Sequence, residues 1–103
     1  MPIRFVGFEW DDYNEGHIAE HNVSPEEVEE CFFNPYVWKR KKGSKKRYYL
    51  YGQTDGGRYL FIVFELYPSD AAGAAVSDGI VRPISARDME EAERRYFKRE
   101  RRG

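Results

Sequence analysis

The clearest pattern in the sequence is a two-residue alternation of side chains over residues 59–66. One set of alternating positions is wholly apolar: Leu60, Ile62, Phe64 and Leu66. The other set is mixed: Tyr59, Phe61, Val63 and Glu65. Because successive side chains of a strand point to opposite faces, this pattern predicts a strand with two covered faces. We expect it to be the central strand of a sheet.

Shorter strands are predicted on both sides of it. Residues 36–40 and 48–54 also alternate, with a basic turn around Gly43 between them, and the run Asp55-Gly56-Gly57 predicts a hairpin into residue 59. Phe5, Phe8 and Trp10 suggest an entry strand, and residues 80–85 suggest a last one. Pro83 has no N–H to donate, which favours an edge or bulged position. Residues 68–79 are rich in Ala, Gly and Ser and predict a surface loop.

Helices are predicted from their capping residues. Ser24, Pro25 and Glu27 form the start of a helix over residues 24–33, with Val28, Cys31 and Phe32 on its inner face. Asp11 or Asp12 can cap an earlier helix carrying His17, Ile18 and His21.

A third helix is predicted at the C-terminal end of the chain. The pattern from Ser85 to Asp88 resembles a capping box, and Met89, Ala92 and Tyr96 then follow at inward-facing spacing. This assignment places Arg87 in the first turn of the last helix.

The order β-α-α-β-β-β-β-α predicts an α+β fold. We expect a small antiparallel sheet of about four strands, packed by two N-terminal helices and one C-terminal helix, in one domain spanning residues 1–103. The only cysteine, Cys31, excludes an internal disulfide, and the sequence shows neither a membrane-spanning run nor a secretory signal. The expected location is the cytoplasm.

Charge is unevenly distributed along the chain. Residues 5–38 contain acids but no Lys or Arg, whereas every charged residue from 39 to 47 is basic, and more basic residues crowd the last ten positions. A basic side of this kind can meet phosphates or an acidic partner. The alternatives are that these cations form an ordinary solvated surface, and that the acidic N-terminal part is itself a partner surface.

Several motifs resemble those of one known family, in the same order along the chain. They are Phe8-Glu9-Trp10-Asp11, then Asn14 with His17-Ile18 and His21-Asn22-Val23-Ser24, Glu26-Glu27-Val28 with Phe32, the hairpin 52–58, Ile84-Ser85-Ala86-Arg87-Asp88-Met89, and Glu93-Arg94-Arg95-Tyr96. Together they are similar to the BrnT-type toxins. The resemblance fails in the turn 39–46 and the loop 68–79, and Ala19-Glu20 stands where many relatives carry basic residues.

The resemblance implies a compact fold related to the RelE-type ribonucleases. It also implies a toxin of a type II toxin–antitoxin pair that cleaves RNA without a metal or other cofactor, and a DNA-binding antitoxin partner of the ribbon-helix-helix type. A homodimer is left open, and no membrane partner is expected.

Metal-free RNA cleavage needs a base for the 2′-hydroxyl proton, a cation for the phosphorane and an acid for the leaving oxygen. Arg87 is the first candidate for the cation, because guanidinium presents a fork that fits phosphate oxygens. The structural alternative is an ion pair of Arg87 with Asp88, Glu90 or Glu91.

Two histidines are candidates for the acid and the base. His17 and His21 are four residues apart, so on a helix they would share a face and could titrate near neutral pH. The same spacing suits a metal, but no clear third ligand accompanies them. A capping or packing role for His21 stays open.

Charged residues on the predicted strands offer further candidates. Glu65 can be a general base with Arg82 contacting phosphate, or the two can form a structural ion pair. Arg58 follows the hairpin turn and is expected to guide RNA, together with Lys45, Lys46 and Arg47. Tyr49, beside Tyr48 and Tyr51, can stack on bases, although tyrosines on strands more often pack within a sheet.

The functional prediction is therefore an endoribonuclease in which Arg87, His21 and Glu65 act on the phosphate, while Arg58, Arg82, Arg47, Lys45, Lys46, Tyr49 and His17 hold RNA. The alternative is a catalytically silent module that binds a protein or nucleic acid through its basic side.

Overall fold

The computed structural model describes residues 3–68 and 79–101. In chain order its elements are β1 (Phe5–Phe8), α1 (Asp12–Ala19), α2 (Pro25–Phe33), β2 (Val37–Arg40), β3 (Arg47–Gln53), β4 (Tyr59–Pro68), β5 (Gly79–Asp88) and α3 (Glu91–Glu100). The predicted order of elements is confirmed. The loop predicted at 68–79 falls, apart from its two end residues, outside the described residues.

The described strands form a five-stranded mixed sheet in the order β1-β5-β4-β3-β2. The strands β2, β3, β4 and β5 pair antiparallel with one another, and β1 is added to the outer side of β5 in parallel. The prediction of an α+β fold with three helices is confirmed, but the expected antiparallel sheet of about four strands is wrong in one respect: the sheet has a fifth strand, β1, and that strand is parallel. Because β1 is four residues long and pairs with a strand more than seventy positions later, its local sequence carries no information on that pairing.

The predicted alternation of β4 is confirmed, and β4 occupies the middle of the sheet. Leu60, Ile62 and Phe64 have no exposed surface, and they pack with residues of α1 and α2 in the larger core: Ile18, Val28, Cys31 and Phe32. Complete burial of one such side chain stabilises a fold by roughly 1.5–3 kcal/mol.

The opposite face of the sheet holds a smaller core. Tyr51, Met89 and Phe97 are buried there, with Tyr59, Phe61 and Tyr96 packed against them. Since Tyr96 and Phe97 belong to α3, this helix covers the end of the sheet near the hairpin between β3 and β4.

The N-terminal capping predictions are confirmed. Asp11 caps α1, its side chain accepting from the N–H of Asn14, and Ser24 with Glu27 forms a capping box at α2. The buried inner face of α2 consists, as predicted, of Val28, Cys31 and Phe32.

The predicted start of the last helix is wrong. Residues 85–88 continue β5, where Asp88 pairs with Leu60, and α3 begins only at Glu91 after Glu90 as N-cap. Arg87 therefore lies on a strand, not in a helical turn. The pattern of Ser85 and Asp88 is compatible with a cap, but pairing with β4 holds this segment extended. The inner residue of α3 is Phe97, whereas Ala92 is exposed.

Pro83 occupies a β-bulge, one of the two predicted positions. Val63 pairs with Ser85 but Phe64 pairs with Pro83, so Ile84 is an extra residue of β5. The bulge is tied to α1 by Asn14, which has no exposed surface. Its Nδ2 donates to the Pro83 carbonyl at 2.9 Å and to the Glu9 carbonyl at 3.0 Å, and its Oδ1 accepts from the Asp11 N–H at 2.8 Å.

In the part of the chain that the structure describes, none of the helices is long and apolar enough to cross a membrane.

Replacing Asn14 by Ala should destabilise the fold by at least about 2 kcal/mol, because a buried polar group left unpaired costs roughly 1–3 kcal/mol. The measurement is urea unfolding followed by circular dichroism. Glu15→Gln, an exposed change on the same helix, should shift the free energy of unfolding by less than about 0.5 kcal/mol. Equal stability of Asn14→Ala and Glu15→Gln would contradict the role given to Asn14.

Candidate functional site

The sheet face that carries α3 also carries a row of charged residues beyond the helix. Arg47 of β3, Glu65 of β4 and Arg82 of β5 are cross-strand partners, so their side chains share this face. Glu9 follows β1 and reaches Arg82 from the other side, with Oε1 3.2 Å from a guanidinium nitrogen. The row alternates in charge from β3 to the end of β1.

Glu65 is held by two donors in this row. Arg47 Nε donates to Glu65 Oε2 at 3.0 Å, and the Tyr67 hydroxyl donates to Oε1. The hydrogen bond from Tyr67 is the main cause that lowers the pKa of Glu65, so this carboxylate is ionised at neutral pH.

Arg82 pairs with acids from the N-terminal segment. Its guanidinium lies 2.9 Å from Asp11 Oδ2 as well as 3.2 Å from Glu9. The predicted Glu65–Arg82 ion pair is therefore wrong: the two residues are opposite in register, but among the described residues each is ion-paired elsewhere. The sequence could not show that β1 lies beside β5 and brings Glu9 there.

The bulge in β5 brings Arg87 to the same face as Arg82. The two residues are five positions apart, an odd number, so in a regular strand they would point to opposite faces. The extra residue Ile84 compensates for the odd spacing. Arg87 pairs with Phe61, and Phe61 lies on the same face of β4 as Glu65, the partner of Arg82.

Arg87 is bound by α3. Its two terminal nitrogens donate to the two carboxylate oxygens of Glu93 at 2.8 and 2.9 Å, and Glu90 lies farther away at 3.8 Å. The guanidinium also lies 4.6 Å from the ring centroid of Phe61. Of the partners considered from the sequence, Glu90 is present but secondary. The principal partner is Glu93, because Arg87 lies on a strand beneath α3.

Two further polar groups lie on the same face of the sheet as Arg87. Tyr51 pairs with Phe61 on the β3 side, as Arg87 does on the β5 side, so the three form one cross-strand row. The amine of Lys39 lies 5.6 Å from the ring centroid of Tyr51 and 4.8 Å from that of Tyr96. Burial raises the pKa of Tyr51, and the nearby Lys39 opposes that change. We name this group the Arg87 cluster: Lys39, Tyr51, Phe61, Arg87 and Glu93.

The sequence did not single out three polar residues of the Arg87 cluster. Lys39 was only one member of a basic run, Tyr51 only a neighbour of Tyr49, and Glu93 only part of a motif. The signal that could have found Tyr51 is the hairpin at residues 55–57, since its register sets Tyr51 opposite Phe61.

The guanidinium of Arg58 contacts the turn between α1 and α2. It donates to Asp88 through Nε and NH2, to Glu27, and to the main-chain carbonyls of Asn22 and His21. The hydrogen bond to Asp88 is the main cause that raises the pKa of Arg58. Its donors thus join α2, the α1–α2 turn and the end of β5.

His21 is near this arginine and not near Arg87. Since α1 ends at Ala19, His21 lies in the following turn, and the expectation of a helical face shared with His17 is wrong. The main-chain carbonyl of His21 accepts from Arg58, and Arg58 in turn binds Asp88. Asp88 and Arg87 are consecutive strand residues, so their side chains point to opposite faces of the sheet, and His21 lies toward the face of Asp88. His17 lies within α1 and contacts the ring of Tyr13.

The remaining candidates lie at or beside the charged row. Tyr49 packs on Phe61 with ring centroids 5.1 Å apart. Lys46 places its amine 5.3 Å from the Tyr67 ring centroid, and Lys45 is exposed in the turn before β3.

Acids of the N-terminal segment have partners within the chain. Glu29 accepts from the Trp10 indole N–H at 2.8 Å, Glu30 accepts from the Asp55 N–H at 3.0 Å, and Glu27 binds Arg58. Much of the negative charge predicted as a partner surface is therefore used to hold the fold. Across residues 3–68 and 79–101, no group of three or more His, Cys, Asp and Glu side chains is arranged to hold a metal ion.

Comparison with known proteins agrees with the motifs. A family model described as the ribonuclease toxin BrnT of type II toxin–antitoxin systems matches residues 10–93. None of the curated proteins compared with the chain matches it. The match spans all the elements from α1 to β5 and the first turn of α3, and includes the whole Arg87 cluster. The chain therefore belongs to the BrnT family of ribonuclease toxins of type II toxin–antitoxin systems.

Proposed function

We propose that this protein is a metal-independent endoribonuclease that binds the scissile phosphate through Arg87. The observation that carries the proposal is the two-point contact between Arg87 and the Glu93 carboxylate, beside Tyr51 and Lys39. Two carboxylate oxygens occupy the guanidinium fork in the way that two phosphate oxygens would. The side chain of Arg87 is 32% exposed, so a phosphate can reach it from solvent.

The reaction is attack of the 2′-hydroxyl oxygen on phosphorus. A base removes the hydroxyl proton, the bond from phosphorus to the 5′ oxygen breaks, and an acid protonates that oxygen. The products are a 2′,3′-cyclic phosphate and a 5′-hydroxyl. Arg87 offsets the charge that develops on the phosphorane, and Lys39 adds a second positive charge nearby.

Glu93 and Tyr51 are the groups we assign to proton transfer. When phosphate takes the fork of Arg87, the released Glu93 carboxylate can accept the 2′-hydroxyl proton. Tyr51, whose pKa burial raises, keeps its proton at neutral pH and can give it to the 5′ oxygen. Glu93 contacts Arg87 directly, and Tyr51 lies on the same face of the sheet, across Phe61 from Arg87.

The other candidate residues fall into two groups. Arg47, Arg82, Glu65, Lys45, Lys46 and Tyr49 lie on or beside the charged row, and we assign the cations and Tyr49 to RNA guidance. His17, His21 and Arg58 lie toward α1 and α2, so in this proposal they do not contact the scissile phosphate.

The partner is proposed from the family. A type II system pairs the toxin with an antitoxin, and we propose a ribbon-helix-helix protein for that role. We also propose that the fold is related to that of the RelE-type ribonucleases. The open reading frame next to the gene is the simplest check on the antitoxin.

A second function is supported by one specific observation. Arg47, Arg58, Arg82 and Arg87 all form ion pairs with carboxylates of the same chain. If RNA does not displace those carboxylates, the protein is a binding module without catalysis. The following experiment separates the two functions.

Arg87→Ala should lower the rate of RNA cleavage in EDTA by about 100-fold or more, the usual loss when one charge-stabilising donor is removed. Cleavage of a 5′-labelled RNA, resolved on a gel, measures the rate and identifies the cyclic phosphate end. Arg95→Ala is the matched control, because Arg95 is an exposed arginine of α3 whose ion pair among the described residues is with Glu91. Full activity of Arg87→Ala would defeat the assignment, and an inactive wild type would favour the binding module.

Tyr51→Phe and His21→Ala distinguish the two sets of acid–base residues in the same assay. We expect Tyr51→Phe to slow cleavage by roughly 10²-fold or more, since general acid catalysis is worth about 10²–10⁴-fold. His21→Ala should stay within a few-fold of the wild type. The reverse result would move the chemistry to the α1–α2 side.

Glu93 should also make stability depend on pH. Burial by itself would raise the pKa of Glu93, but the hydrogen bonds from Arg87 and the Glu90 N–H outweigh burial and lower it below 4.5. A lowered folded-state pKa stabilises the fold above the unfolded value, and this stability is lost as the pH falls below about 4.5. Urea unfolding between pH 7 and pH 3 should therefore depend less on pH in Glu93→Gln than in the wild type. Glu91→Gln, at an 81% exposed position, should leave the dependence unchanged.

A further inference from the structure

Two cations of α3 are held by an aromatic ring instead of a carboxylate. Arg94 places its guanidinium carbon 5.6 Å from the ring centroid of Tyr59, and Lys98 places its amine 5.3 Å from the same centroid. The two residues are four positions apart, so they lie on one face of the helix. Among residues 3–68 and 79–101, neither forms an ion pair with an acid.

This arrangement differs from that of the other arginines of the helix. Arg95 pairs with Glu91 and Arg99 with Glu100. A ring attracts a cation through its quadrupole but brings no net negative charge. Arg94 and Lys98 are therefore positioned while their charges remain available to a ligand.

The helix dipole does not explain both cations. Lys98 lies in the last turn of α3, where positive charge is favourable. Arg94 is the fourth residue of the helix, nearer its positive end, so the dipole offers it no such stabilisation.

The pair lies close to the Arg87 cluster. Tyr59, beneath Arg94 and Lys98, and Phe61, beneath Arg87, are two positions apart on the same face of β4, which separates them by about 6.8 Å along the strand. On the helix side, Glu93, which contacts Arg87, and Arg94, which lies over Tyr59, are consecutive residues of α3. A strand of RNA held at Arg87 could therefore reach Arg94 with its neighbouring phosphate.

An open cleft lies beside the pair, lined by Gly57, Arg58, Tyr59, Asp88, Met89 and Arg94. Asp88 is the only acid in this lining, and it is bound at two points by Arg58. The cleft thus offers space next to Arg94 without an unpaired carboxylate.

We propose that Arg94 and Lys98 form a second phosphate-binding subsite, which holds single-stranded RNA next to the phosphate bound by Arg87. The choice of RNA as ligand rests on the proposed function, but the subsite itself requires only binding and not cleavage.

The test uses the full chain and a fluorescent RNA made entirely of 2′-O-methyl nucleotides, which cannot be cleaved by 2′-hydroxyl attack. Fluorescence anisotropy gives the Kd for the wild type and for Arg94→Ala/Lys98→Ala over a range of salt concentrations. Arg95→Ala/Arg99→Ala is the matched control, because it removes the same charge from the same helix at carboxylate-paired positions. Circular dichroism checks that each variant is folded.

The expected loss follows from counterion release. Each phosphate contact with a single strand contributes about 0.7 to the slope of log affinity against log salt. Removing two contacts should lower the slope by about 1.4 and weaken binding about 25-fold at 0.1 M salt, with the difference vanishing toward 1 M. The control variant should lose much less affinity.

Equal losses in the two double variants, or no loss in Arg94→Ala/Lys98→Ala, would overturn the subsite. The subsite would also be overturned if polyglutamate displaced the labelled RNA as well as an unlabelled RNA of the same charge does, because the site would then not select phosphate. A wild type that binds the RNA through Arg94 and Lys98 but cleaves no RNA would uphold the subsite while the proposed ribonuclease activity fails.

Discussion

Leu60, Ile62 and Phe64 alternate along β4 with Tyr59, Phe61 and Val63, and both sets are covered, the first by α1 and α2 and the second partly by α3. Because one strand supplies the centre of both cores, a shift of its register by one residue would exchange the two faces completely. The neighbours β3 and β5 take their registers from β4, and they bring Tyr51 and Arg87 to either side of Phe61. The position of every group in the Arg87 cluster depends on this strand.

The second constraint is electrostatic. An arginine on a covered sheet face needs a partner that meets its donors, and this chain supplies carboxylates for Arg47, Arg58, Arg82 and Arg87. Basic residues counted in the sequence are therefore not the same as basic charge open to a ligand. Ligand binding at Arg87 has to compete with Glu93, whereas Arg94 forms no ion pair among the described residues, and the acid that shares its cleft, Asp88, is bound by Arg58.

Much of the fold was predictable because its signals are local. The cap at Ser24, the hairpin at Asp55-Gly56-Gly57 and the alternation of β4 each depend on residues within a few positions of one another. The errors came from contacts distant in sequence: β1 beside β5, Glu9 beside Arg82, and β4 holding residues 85–88 extended against a plausible cap. At the site, Arg87 was found by its type and motif, but Glu93, Tyr51 and Lys39 gather around it only through the register of three strands and the placement of α3.

The bulge at Ile84 has a consequence for how the gene can vary. Deleting this one residue would make β5 regular and leave its other residues paired as they are, with Arg82 and Arg87, then four positions apart, still on one face. Inserting a residue between Ile84 and Arg87 would instead turn Arg87 toward the larger core, where Ala86 has no exposed surface. The two single-codon changes should therefore differ sharply in their effect, and β5 should tolerate the loss of a residue at the bulge better than the gain of one beyond it.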